Sequence, residues 1–135
     1  METPKTEWIA GKMIDRVKTF EDAWKWADEE TRNEFLGDVC KSPDAIAYTK
    51  LRLIIRVVNL DDKTGKRFIP DYKNRNQIKW FPVFNLSSGC GFEYSYYIYD
   101  DASAFVGSRL CFSYEEKSDY VAQQFIDLYE QCFNQ

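Results

Sequence analysis

The strongest constraint on this chain is residues 79–113, where aromatic and β-branched residues are packed between Gly, Ser and Asp clusters. That pattern marks strands separated by turns, and it predicts strands over 78–86, 92–99 and 105–113. In the first, Trp80, Pro82, Phe84 and Leu86 alternate with Lys79, Phe81, Val83 and Asn85. Pro82 has no N–H for a ladder, so it points to an edge strand or a bulge. A sheet this apolar needs helices over it. The expected class is therefore α+β: N-terminal helices, a three-stranded antiparallel sheet, and a C-terminal helix packed on one sheet face. One face, with Trp80, Phe84, Phe92, Tyr94, Leu110 and Phe112, is the expected core. The other, with Phe81, Tyr97, Tyr99 and Arg109, is the candidate partner surface.

Residues 1–18 show no clean period and read as a mobile N-terminal arm with a short helix at 8–13, leaving 19–135 as a single domain. Thr19 is an N-cap signal, with Glu21 and Asp22 in the first turn. Phe20, Ala23, Trp24 and Ala27 then predict a helix over 20–28, and a weaker one follows over 30–36. Ser42-Pro43-Asp44 is a stronger start signal. Behind it Ala47, Leu51, Ile54, Ile55 and Val58 fall on one helical face. The run Leu-Ile-Ile-Arg-Val-Val also suits a buried strand, but the cap and the length favour helix. Residues 59–66 form a turn. Ser113 and Glu116 fit a capping box, opening a helix with a Val121, Phe125, Leu128, Tyr129, Cys132 stripe.

The length of 135 residues suits one domain with a real core. No apolar run reaches membrane-spanning length, and the polar start of the chain has no secretory pattern, so the expected compartment is the cytoplasm. Histidine is absent and the four cysteines, at 40, 90, 111 and 132, form no C-x-x-C pair, which leaves no metal signature and predicts free thiols. No cofactor is implied. The net charge of −4 is unevenly spread: residues 50–79 are basic, and the segments on either side are acidic. A basic middle either marks an anionic partner site or is neutralised by the acidic C-terminal part.

Several strings carry a resemblance: Phe20-Glu21-Asp22-Ala23, Pro70-Asp71-Tyr72, Lys79-Trp80-Phe81-Pro82-Val83-Phe84, Leu86-Ser87-Ser88-Gly89-Cys90-Gly91-Phe92, Val106-Gly107-Ser108-Arg109-Leu110-Cys111-Phe112, and Gln124-Phe125 with Leu128-Tyr129. The chain resembles a family of small uncharacterised proteins of gut anaerobic bacteria and their phages or mobile elements. Phe68 and Tyr72 depart from the family pattern, which has tryptophans there. The resemblance implies a cytoplasmic, phage-linked protein and carries over no catalytic residue.

Three functional readings follow. The first is a non-enzymatic protein-interaction module, since Tyr and Trp are rigid anchors that interfaces favour. It binds a protein or peptide through Phe81, Tyr97, Tyr99 and Arg109; against it, the same rings suit a core wetted at its margin. The second is single-stranded nucleic-acid binding, with the sheet tyrosines stacking bases and the basic 50–79 segment tracking phosphates. The third is a hydrolase in which Glu93 pairs with Asp100 or Asp101. No nucleophile elbow or phosphate loop accompanies any of these residues, so no catalytic residue is assigned. The chain names neither a partner nor an oligomeric state.

Overall fold

The computed structural model describes residues 8–37, 42–71, 73–74, 76–87, 91–100 and 110–133; for 83, 85–87, 91–100 and 133 it describes the backbone alone. Six helices and two strands follow one another as α1 (Met13–Arg16), α2 (Phe20–Trp26), α3 (Glu29–Gly37), α4 (Pro43–Val58), β1 (Lys79–Ser87), β2 (Gly91–Asp100), α5 (Glu115–Gln124) and α6 (Ile126–Phe133).

The organising element is α4, not the aromatic stretch. Pro43 sits in its first turn, where a missing N–H costs nothing, and Asp44 favours the positive end of the dipole. All five residues of the expected apolar face are buried, and Leu53 and Val57 are buried as well. A helix apolar over so much of its circumference must be covered from several sides, and α4 packs against α1, α2, α3 and α6. Around it, Met13, Val17, Ala23, Leu110, Phe112, Val121 and Tyr129 join one apolar cluster. At the start of α2, Thr19 accepts from the Asp22 amide and the Asp22 carboxylate accepts from the Thr19 amide, a reciprocal cap.

Among the described residues no three-stranded sheet is present, and the α+β expectation is corrected to mainly helical residues carrying one two-stranded antiparallel ribbon. Residues 105–109 of the expected third strand lie outside the described residues. The described remainder contributes a single bridge, Phe112 with Trp80. Its two hydrogen bonds explain why pairing stops there. Trp80 N–H donates to Phe112 O (3.0 Å), and Phe112 N–H donates to Trp80 O (2.8 Å). Backbone groups alternate sides along a strand, so the next donor due on this side belongs to Pro82, which has none. On its other side β1 pairs with β2, and the register slips between Val83 and Phe84, next to the proline.

The single C-terminal helix expected on one sheet face is two helices, broken at Phe125, whose backbone leaves the helical region (φ −115°, ψ 31°). Helix α5 packs on both strands, whereas α6 packs mainly on α4. The Phe84 and Tyr129 rings meet at 4.7 Å between centroids, joining β1 to α6. The expected capping box at Ser113 is not made either. The N-cap is Tyr114, and the Ser113 amide instead donates to Asn59 Oδ1 at 3.1 Å. A buried acceptor at the end of α4 takes the residue that the local pattern assigned to a cap.

Candidate functional site

Residues 8–18, read from sequence as part of an arm, are tied to the body: Met13 and Val17 are fully buried. Val17 O accepts from the Tyr120 hydroxyl (2.7 Å) and Lys18 O from Gln124 Nε2 (2.8 Å), and Asp62 gathers the bonds nearest the N-terminal side. Asp62 O accepts from Trp8 Nε1 (3.1 Å) and from the Gly11 amide (2.9 Å), while Asp62 Oδ1 accepts from the Met13 amide (3.1 Å). Lys117, from α5, reaches the same Oδ1 at 3.2 Å and donates to Leu60 O at 2.8 Å, closing the C-terminal end of α4. Burial pulls the Lys117 pKa below the ordinary lysine value, and Asp62 opposes that shift. This is the behaviour of a structural cation with its partners in place. The turn beneath is built for Trp8: Gly65 has φ +73°, and a Cβ there would overlap the indole ring. The Arg16 guanidinium lies 5.3 Å from the Trp8 ring and 4.8 Å from that of Trp26, a cation–π contact on each.

The same turn leads into a surface groove. One wall is the loop after Gly65, with Lys66, Arg67, Phe68, Gln77 and Ile78; the other is Trp80, Ser113 and Tyr114. The loop is fastened from within. Gln77 Nε2 donates to Ile69 O (2.9 Å), and its Oε1 accepts from the Asp71 amide (2.6 Å). Lys79, fully buried, donates to Asp71 O (2.7 Å) and Asn74 O (3.2 Å). Two of the groove's apolar groups nonetheless stand in water, Tyr114 at 61% exposure and Ile78 at 43%. Exposed apolar side chains gathered in one groove mark interaction surfaces. On the rim, Lys66 is exposed and pairs with no carboxylate among the described residues. Asp61, also in the wall, has its Oδ1 turned to the Lys63 and Thr64 amides, which hold its pKa below the usual carboxylate value.

The residues expected to form the partner surface are not brought together as one patch. Phe81 is buried, with 6% exposure. The register sets it opposite Ile98, whereas Tyr97 lies opposite Pro82 and Tyr99 opposite Trp80, so Phe81 and the tyrosines occupy alternate positions of the ribbon. Arg109 lies outside the described residues. Glu93 and Asp100 stand seven positions apart on one extended strand, about 23 Å at the usual rise, far beyond the separation a glycosidase pair needs. Asp101 lies outside the described residues. Among the described residues no cluster of His, Cys, Asp and Glu could hold a metal ion. No described helix is long and apolar enough to cross a membrane.

Charge neutralisation also differs from the expected pairing with the acidic C-terminal part. Arg56 and Arg67 pair with Glu34 and Glu30 of α3, on the N-terminal side. The tie to the C-terminal part runs the other way, from Lys117 to Asp62. Sequence reasoning missed the groove because its apolar members, Phe68, Ile78, Trp80 and Tyr114, come from separate stretches of the chain. Ile78 was read as the first residue of the first strand, but β1 begins at Lys79. No family model matches the chain, and neither a curated protein nor a solved structure matches it.

Proposed function

We propose that the protein is a non-enzymatic interaction module that takes an acidic, aromatic-bearing segment of a partner protein in the groove between the 66–78 loop and Tyr114. The observation that carries this reading is that exposed Tyr114 and Ile78 line one groove with Lys66, which pairs with no carboxylate among the described residues. Apolar anchors supply affinity at such a surface, and rim charge supplies steering. The surface moves from the sheet face to the groove because Phe81 is buried. The resemblance to small phage and mobile-element proteins is what suggests a mobile-element origin.

Against the nucleic-acid reading, three of the nine cations in 50–79 are engaged within the fold. Lys79 donates to two backbone carbonyls, Arg56 and Arg67 are paired with glutamates, and Arg75 lies outside the described residues.

The test uses a fluorescent random copolymer of glutamate and tyrosine, with polyglutamate and oligouridylate as controls, read by anisotropy. The copolymer is expected to bind, polyglutamate to bind more weakly, and Tyr114→Ala with Ile78→Ser to lose about tenfold in affinity, as for interface anchors. Loss instead in Tyr97→Ala/Tyr99→Ala returns the site to the ribbon. Salt-sensitive binding of oligouridylate alone overturns the protein-partner reading in favour of nucleic acid.

A further inference from the structure

Resting on the groove reading above, we infer that the segment the groove takes is Tyr114-Glu115-Glu116 of a second copy of this chain, in a two-fold dimer. The groove calls for an acidic, aromatic-bearing segment, and the chain carries one at the groove's own edge. Tyr114, Glu115 and Glu116 are consecutive exposed residues at the start of α5. Tyr114 is shared between two surfaces: it lines the groove with Lys66 and Ile78, and it lines a neighbouring cleft with Asp61, Glu115 and Glu116. One base and one acid beside this ridge are left over. Among the described residues Lys66 pairs with no carboxylate and Glu115 with no cation, whereas Glu116 holds Lys12 and Asp62 holds Lys117. A surface with an aromatic ring between an unmatched cation and an unmatched carboxylate is its own complement. Turned about a two-fold axis at Tyr114, it sets Lys66 of each protomer against Glu115 of the other. Each contact then occurs twice, and because the donated segment adjoins the groove that receives it, the pair closes rather than growing into a filament. The tyrosine rings supply the buried area and the charge pairs fix the orientation. The Tyr114 side chain makes no capping bond, so giving its ring to a partner leaves the start of α5 intact.

The experiment is sedimentation equilibrium of the full chain over a range of concentrations, for the wild type, Lys66→Glu, Glu115→Lys and an equimolar mixture of the two variants. The wild type is expected to dimerise as concentration rises, and added glutamate–tyrosine copolymer to return it to monomer. Each variant alone sets like charges against one another at both crossings, which is expected to weaken the dimer by about tenfold or more. The mixture restores it, because in the mixed dimer both crossings again join opposite charges. Both positions are exposed, so neither substitution reaches the core. Tyr114→Ala, which keeps every charge, is expected to weaken the dimer as well. A wild type that binds the copolymer but stays monomeric at every concentration overturns the dimer and leaves the groove reading standing. A dimer equally strong in both single variants, or a mixture no stronger than its components, does the same. A wild type that binds no copolymer when diluted to monomer overturns the groove reading and this inference with it.

Discussion

The seam between α4 and its neighbours is apolar, whereas the seam joining residues 8–13 to the 61–66 turn and α5 adds hydrogen bonds gathered on Asp62 to the packing of Trp8 and Met13. In the first, Leu51, Ile54, Ile55 and Val58 of α4 share a cluster with Val121, Phe125 and Tyr129, and stability grows with buried area whatever the partner. In the second, Asp62 accepts from Trp8, Gly11, Met13 and Lys117, and each bond depends on direction and distance. The apolar seam is a scaffold that tolerates adjustment. The polar seam is set by the geometry of a few bonds to Asp62 O and Oδ1.

Substitutions in the two seams separate these behaviours. Leu51→Ala, at a site with no exposure, is expected to cost about 2–5 kcal/mol in chemical denaturation, with unfolding still a single transition. Asp62→Ala removes the carboxylate shared by the Met13 amide and Lys117, leaving the backbone carbonyl that accepts from Trp8 and Gly11, and strands the buried Lys117 ammonium, a loss of about 2–3 kcal/mol. Here the Met13 amide is expected to lose protection before the helices do. Equal loss of protection everywhere would erase the distinction between the seams.

Alkali tests the apolar seam by charge. Burial holds the Tyr129 hydroxyl's pKa far above the ordinary tyrosine value. Its folded value is the higher one, so this contribution is complete below about pH 10 and is lost as pH rises past the unfolded value. The slope approaches about 1.4 kcal/mol per pH unit for one proton. Tyr129→Phe should flatten that decline relative to wild type, and parallel curves would refute the assignment. The smallest effect belongs to Lys12→Ala. The Lys12–Glu116 pair spans 3.3 Å, but both side chains are about 60% exposed, so a change below about 0.5 kcal/mol is expected.

What the sequence disclosed follows the same division. Helix α4 was legible because its start signal and its apolar period lie within sixteen residues. The Thr19 cap was legible because its bonds span three residues. The Asp62 seam was not, since its bonds join residues 49 to 55 positions apart and Asp61-Asp62 has the composition of any solvated turn. Lys117 and Ser118 are buried on α5 although their types predict a surface. The sheet was overcounted because aromatic density signals strands without saying on which side a strand can pair. Pro82 carried that information, and its meaning appeared only once Trp80 was seen to spend its backbone bonds on Phe112. The groove combines residues from the 59–80 segment with Ser113 and Tyr114, a juxtaposition that no local pattern encodes.

The most direct measurement is zero-length carbodiimide crosslinking of the glutamate–tyrosine copolymer to the wild-type protein, with the linked lysines mapped by mass spectrometry. A copolymer seated in the groove joins its carboxylates to Lys66 before any other lysine, and Tyr114→Ala reduces that product. Crosslinks spread over Lys12, Lys18, Lys25 and Lys50 in proportion to their exposure, with Lys66 unexceptional, would contradict the assignment of the groove as the binding site.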